Sequence, residues 1–226
     1  MSKITALRML CDHPKLLASS ASLYDPFVAD RGSKFLSEFL EDPKMSSILD
    51  KCKTPKLDLL NELVKDHISD ELNKVVIFCS YVEMASLIQE QVGGVVYTGK
   101  MSAKEKEAAK VQFQTDPATR CLISTDAGGY GVDLPQANLL INYDLPWSSG
   151  LAVQRNGRIK RASSKWPSIV IQDLLVADSV EERQHAMLKQ KNAVASAVVD
   201  GKGINDRGGV DMSVGSLIDF LRTNQP

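Results

Sequence analysis

Apolar residues gather in short unbroken runs between residues 74 and 176, and the runs alternate with segments of helical spacing. The first, KVVIFC at 74–79, has the continuous apolarity of a strand covered on both faces. Ser80 and Glu83 follow at capping-box spacing and predict a helix reaching about residue 92. A second strand is predicted over 95–98, and Ser102 with Glu105 predicts a capped helix to about residue 114. Third and fourth strands are predicted over 121–124 and 139–143, then a helix from near Ser148, then a fifth strand over 168–176. Ser179 and Glu182 cap a last long helix. Strands alternating with helices predict an α/β fold, a parallel sheet flanked by helices with right-handed crossovers. Ligands then sit beyond the carboxyl ends of the strands, where Ser80, Gly99 and residues 125–131 fall.

The ends of the chain read differently. Residues 1–53 form a helical appendage with a polar, poorly patterned stretch over 18–32, and residues 54–199 form the α/β lobe. From 200 the run DGKGINDRGGVD is a Gly- and Asp-rich linker, and 213–222 (SVGSLIDFLR) predicts a short closing helix.

At 226 residues, 43% hydrophobic and 24% charged, the chain buries one sizeable core with a second small helical piece. No apolar run approaches ~18 residues and MSKITALRML lacks a signal-peptide core, so a cytoplasmic or nucleoid-associated location, and not secretion, is expected. Cys11, Cys52, Cys79 and Cys121 lie far apart, which predicts buried reduced thiols and neither a zinc site nor a disulfide framework. His13, His67 and His185 are dispersed in helical segments and are assigned no chemistry. Net charge is −1, yet from Leu145 to Gln172 no acid occurs while Arg155, Arg158, Lys160, Arg161 and Lys165 contribute +5. Such a strip meets nucleotide phosphates, DNA phosphates or solvent alone.

On the helix from Ser148, Gln154, Arg158 and Arg161 fall at i, i+4 and i+7 and share one face. Two permanently charged forked donors beside an amide suit the spread charge of a transferring γ-phosphoryl group; the plain alternative is a solvated helix face. Gly128, Gly129 and Gly131 let backbone amides approach a phosphate or a partner lobe, or simply form a tight turn.

STDAGGYGVDL (124–134) resembles motif V, and QRNGRIKR (154–161) motif VI, of the superfamily-two helicases and translocases, with wording similar to the Swi/Snf-type ATPases. ALRMLCDHPKLL (6–17) resembles the LR-x-x-C-N-H-P-x-L segment before the second lobe of that family, and TPKLDLLNELV (54–64) its S-x-K-L helix. SVEERQHAMLKQKNAVASAVV (179–199) resembles the helix that follows motif VI. The resemblance implies a RecA-like second lobe of P-loop NTPase fold, without the phosphate loop or the D-E-x-(H/D) box of the first lobe. GVVYTGKM (94–101) is not a phosphate loop, since Met101 stands where a magnesium-binding hydroxyl is needed. Asp133 stands where Swi/Snf relatives more often have Asn, Gly157 where they have Asp, and Ala162-Ser163-Ser164 replaces the usual I-G-Q.

By the same resemblance, ATP is bound mainly on a first lobe, which also holds magnesium. Arg158 and Arg161 act as fingers to the γ-phosphate, and Gln154 senses its state. Gly129, Gly131, Asp133 and Arg155 bind nucleotide, while Ser80, Gly99, Ser102 and Thr125 hold double-stranded DNA by its phosphates. The expected partners are that first lobe and DNA, and the expected activity is ATP-dependent DNA translocation. Half of an RNA helicase and a non-catalytic module that binds nucleic acid or a partner are the rival readings.

Overall fold

In the computed structural model, backbone is described for residues 3–28, 32–129 and 131–199, and side chains as far as residue 190. The 200–226 linker and closing helix expected from sequence lie outside the described residues.

β1 (Val75–Cys79) is buried at every position, because it is the centre of a five-stranded parallel sheet and carries helices on both faces. The strand order is β2-β3-β1-β4-β5, with β2 (Val95–Tyr97), β3 (Cys121–Thr125), β4 (Leu139–Asn142) and β5 (Val170–Asp173). Val75 is level with Cys121 on one side and Leu139 on the other. Alternate residues then feed two cores. Val75, Ile77, Ile123 and Ile141 pack with Leu57, Leu60 and Val64 of α5 (Pro55–His67) and with Met84, Ala85 and Ile88 of α6 (Val82–Val92). Val76, Phe78, Leu122 and Leu140 face Ala109 and Phe113 of α7 (Ala103–Thr115) together with Val132, Leu134 and Ile159. The α/β, RecA-like parallel sheet expected from sequence is what folds. Among the described residues no helix is long and apolar enough to cross a membrane.

The helix starts divide. Ser102 caps α7 in both directions: its Oγ accepts the Glu105 N–H (3.3 Å) and the Glu105 carboxylate accepts the Ser102 N–H (2.7 Å). The box expected at Ser80 and Glu83 does not form. α6 starts one residue later, after Tyr81, with no side-chain cap, and the Ser80 amide and hydroxyl donate to Asp144 at 2.5 and 2.6 Å. A fully buried carboxylate needs donors more than a solvent-facing helix end does. Before α9 (Val180–Val199), the Ser179 Oγ accepts the Glu181 N–H, but Glu182 reaches back to the Asp178 N–H, so the expected box is displaced by one residue.

The appendage holds α1 (Lys3–Asp12), α2 (Pro14–Ser22), α3 (Lys34–Leu40) and α4 (Pro43–Lys51). α2 takes in the beginning of the stretch that looked unpatterned, and His13 stands at its N-cap, not inside a helix, where Nδ1 accepts the Lys15 N–H. Met9, Leu16, Leu17 and Leu36 enter the same core as Leu57 and Leu60, so the appendage is packed onto the lobe. Cys79 and Cys121 are buried as expected, and burial pushes both thiols up, Cys121 to about 11. Cys11 is only partly buried and Cys52, at the end of α4, is exposed.

A buried triad fastens α1, α5 and α9. The Lys56 Nζ lies 3.0 Å from Asp12 and 2.6 Å from Glu181, and the Tyr143 hydroxyl donates to the Asp12 carbonyl at 2.7 Å. Burial pushes the Lys56 ammonium down, but Asp12 and Glu181 outweigh it and hold Lys56 above its ordinary value. Burial, and then the Asp144 charge, hold the Asp12 carboxyl well above its usual range.

Replacing Lys56 by Met strands two buried carboxylates and is expected to cost about 3–5 kcal/mol at neutral pH in denaturant unfolding. Asp12, already raised, then rises further, so the folded state takes a proton more readily than the unfolded chain. Part of the lost stability returns as pH is lowered below neutral. A variant whose stability falls on acidification, or matches the parent at neutral pH, contradicts this account.

Candidate functional site

The carboxyl ends of β3, β1 and β4 meet around one guanidinium. Arg155, in α8 (Ser149–Asn156), is 2% exposed and gives its Nε and Nη2 to the two oxygens of Asp126 (2.6 and 2.9 Å). Nη1 donates to the Asp144 carbonyl (2.7 Å) and the Asn142 Oδ1 (3.4 Å), and Nη2 to the Asp144 Oδ1 (3.3 Å). All five donors are therefore used inside the protein. The Phe78 ring lies 5.5 Å from the same guanidinium. Burial pushes Arg155 down, but hydrogen bonding to Asp126 and the Asp144 charge more than compensate. Arg155 was expected to bind nucleotide. It has no N–H left for a phosphate and instead fixes the walls of the cleft, so the +5 strip presents fewer free charges than its composition implies.

α8 is shorter than the spacing of Gln154, Arg158 and Arg161 predicts. Ser148 caps it through the Leu151 N–H (3.2 Å), and it ends at Asn156, with the Gly157 N–H closing on the Val153 carbonyl. Arg158 and Arg161 lie beyond it, so the i, i+4, i+7 face does not exist as a helix face. Gln154 and Arg158 nevertheless meet. With Phe78, Asp126, Gly129, Leu151 and Arg155 they line a small cleft whose interior is about 10 Å³, room for roughly one water-sized group. Among the described residues neither the Gln154 amide nor the Arg158 guanidinium makes a hydrogen bond.

Arg161 is outside that cleft and is paired with Asp133 at 2.5 Å, the two side chains 37% and 58% exposed. The two residues that the motifs assign to nucleotide contact thus hold each other at the surface. Gly131 has φ +74°, the left-handed region that favours glycine, just before that turn. A Cβ on Gly128 would run into the Tyr97 carbonyl, so this glycine serves the packing of the loop on β2.

The four expected DNA contacts do sit at the carboxyl ends of three adjacent strands: Gly99 and Ser102 after β2, Thr125 ending β3, Ser80 after β1. Their accessibility differs. Gly99 and Ser102 are exposed, whereas Thr125 is buried, with its Oγ1 near the Gly128 N–H (3.4 Å), and both donors of Ser80 go to Asp144. Ser102 itself is engaged by Glu105, whose carboxylate occupies the α7 N-terminus where an outside anion would sit. Hydrogen bonds from Ser102 hold the Glu105 carboxyl below its usual value.

Asp126 and Asp144 were not picked out from sequence. Each lies within two residues of the end of a buried strand, and that position was the available signal.

Arg155→Ala leaves the buried Asp144 without its cation and is expected to destabilise the chain by about 3–5 kcal/mol, while Arg158→Ala changes stability by less than ~0.5 kcal/mol. Thermal or denaturant melts of the two variants check this. Equal losses would mean that the two arginines share one role.

The helicase conserved C-terminal domain family matches residues 55–163, a segment that includes β1 to β4 and α8. The human DNA repair and recombination protein RAD54-like is 28% identical over 208 residues, covering 88% of this chain and 27% of that protein. The chromatin-remodeling ATPase INO80 of Candida glabrata is 31% identical over 179 residues, 75% of this chain and 12% of that protein. The chain spans about a quarter or less of the length of these relatives. Among solved structures, the C-terminal part of the Fun30 ATPase domain superposes with a TM-score of 0.60 at 20% identity, covering 88% of this chain and 81% of that one. Sequence blocks, sheet order and relatives agree: residues 55–163 form a helicase C-terminal domain, and the chain is similar to the second RecA-like lobe of the Swi/Snf-type ATPases.

Proposed function

We propose that this lobe completes the nucleotide site of an ATP-dependent double-stranded DNA translocase, with Arg158 and Gln154 facing the γ-phosphate of ATP bound on a first RecA-like lobe. The observation that carries the reading is the cleft itself: a free guanidinium and a free amide meet beside Gly129, backed by an arginine whose donors are all used. The space fits a phosphoryl oxygen reaching in, not a whole nucleotide, which accords with ATP and magnesium being held mainly on the other lobe. ATP supplies the phosphoryl group that passes to water. Arg158 meets the charge that spreads over it, and Gln154 reports its presence. Arg161 becomes the second finger by leaving Asp133, a step that costs little because an exposed pair is worth about 0–1 kcal/mol. Gly129, Gly131 and Asp133 link the nucleotide to these residues.

DNA runs across the ends of β2, β3 and β1, with Gly99 and Ser102 in contact and Ser80 and Thr125 forming the floor. Phosphate contacts of this kind carry no base information, as a motor requires. A double-stranded DNA substrate draws support from the names of the relatives, one in DNA repair and recombination and one in chromatin remodelling. We assign residues 1–53 as the appendage and 54–199 as the lobe.

The chain alone is expected to show no DNA-stimulated ATP hydrolysis, and its first lobe, in the same polypeptide or added as a separate chain, restores it. In the assembled enzyme Arg158→Ala or Arg161→Ala lowers turnover by on the order of 10³-fold while DNA affinity stays nearly unchanged. Robust hydrolysis by the chain alone sinks the half-site reading. Arginine variants that keep turnover and lose DNA move these residues to the DNA path.

DNA affinity of the lobe alone is expected to be weak, indifferent to sequence and steeply salt-dependent. Ser102→Ala and Thr125→Ala weaken it modestly and equally on unrelated duplexes. Titrations at several salt concentrations read this out, and a marked preference for one sequence argues against a translocase.

A further inference from the structure

Residues 143–147, which join β4 to α8, are gripped at every position. The Tyr143 hydroxyl donates to the Asp12 carbonyl, and Asp144 is bound by Ser80 and Arg155. The Leu145 carbonyl accepts from Arg8 Nη2 of α1 and from Gln184 Nε2 of α9 (3.2 Å), and the same Gln184 nitrogen donates to the Pro146 carbonyl at 2.8 Å. Trp147 lies with its ring 4.1 Å from the Arg8 guanidinium carbon and is itself 56% exposed.

Arg8 is an expensive way to fill space. It is 1% exposed, and its Nε and Nη1 have no hydrogen-bond partner among the described residues. Burying a cation with donors unmade is costly, and an apolar side chain of similar volume often serves stability as well or better. What an apolar residue cannot do is hold the Leu145 carbonyl and the Trp147 ring. The segment it holds leads directly into α8, an eight-residue helix whose one buried residue is Arg155. A helix that short has little stability of its own, so its position is set by whatever fixes its ends.

We propose that α1 and α9 form a clamp on residues 145–147, which makes Arg8 and Gln184 positioning residues for the Gln154 and Arg158 cleft. The clamp stands on the contacts above, and its effect on turnover rests on the reading of that cleft given under Proposed function. α1 is itself tied to α5 and α9 through Asp12, Lys56 and Glu181, so the appendage reaches the nucleotide-facing residues through one continuous buried path. A shift of α1 thereby moves Arg158 without either touching the other.

Arg8→Met, Arg8→Lys and Gln184→Leu test this in two settings. In the chain by itself, amide hydrogen exchange over residues 152–157 should quicken about tenfold in Arg8→Met and Gln184→Leu, with β1 and α5 unchanged and the melting midpoint of Arg8→Met equal or higher. Arg8→Lys should recover much of the protection by keeping a cation at the Leu145 carbonyl. In the enzyme assembled with its first lobe, kcat should fall about 10- to 100-fold in Arg8→Met while KM for ATP stays within about twofold, and the double variant with Gln184→Leu should lose less than the product of the single losses. Exchange that is unchanged at α8, or raised equally in every element, overturns the clamp. Arg158→Ala in the same assembly separates the two failures. If it leaves turnover intact, the cleft reading is wrong whatever Arg8 does; if it abolishes turnover while Arg8→Met has full kcat, the inference alone fails.

Discussion

The buried guanidinium of Arg155 is the constraint on which the site depends. It bridges Asp126, at the end of β3, and Asp144, just beyond β4, so the loop after one strand and the helix after the other cannot move independently. A buried ion pair contributes little net stability when formed, but breaking it leaves an uncompensated charge in a low-dielectric interior. Asp144 shows how far this requirement spreads. It also draws the amide and hydroxyl of Ser80 away from the helix they would otherwise cap, and α6 starts a residue later in consequence. By using all of its donors internally, Arg155 leaves Arg158 as the guanidinium that faces the cleft.

Magnitudes separate what is fixed here from what is free to move. The Asp12, Lys56 and Glu181 triad and the Arg155 network are buried and hydrogen-bonded, and losing one partner costs several kcal/mol on the scale for such groups, about 3–5. Arg161 and Asp133 lie at the surface, where a pair is worth about 0–1 kcal/mol and is screened by salt. The proposed docking on a first lobe, and release from it, would draw on this division. The frame is held by buried pairs, and the Arg161 charge is held only weakly. The capping box at Ser102 has the same character, since the Glu105 carboxylate that occupies the α7 N-terminus is exposed and can be displaced by a stronger anion.

The appendage belongs to this frame. Its apolar residues enter the core formed by β1 and α5, and its polar ones end on the segment that leads into α8.

The sheet was legible in the chain. Unbroken apolar runs at Val75–Cys79 and Cys121–Thr125 mean burial on both faces, and that pattern is local. The box at Ser102 and Glu105 was legible for the same reason, because both partners lie within one turn. The motif blocks likewise pointed to the cleft, and Gln154 and Arg158 meet there. What sequence alone left open depends on contacts between distant residues. Ser80 finds Asp144 at a separation of 64 positions, Arg155 finds Asp126 at 29, and Arg8 finds the Leu145 carbonyl at 137. The end of α8 at Asn156 and the division of the basic strip into buried Arg155, cleft-facing Arg158 and paired Arg161 follow from such contacts. Periodicity records which face of an element is buried; only the folded chain determines which charges share that interior, because each buried charge must find its partner across the sheet.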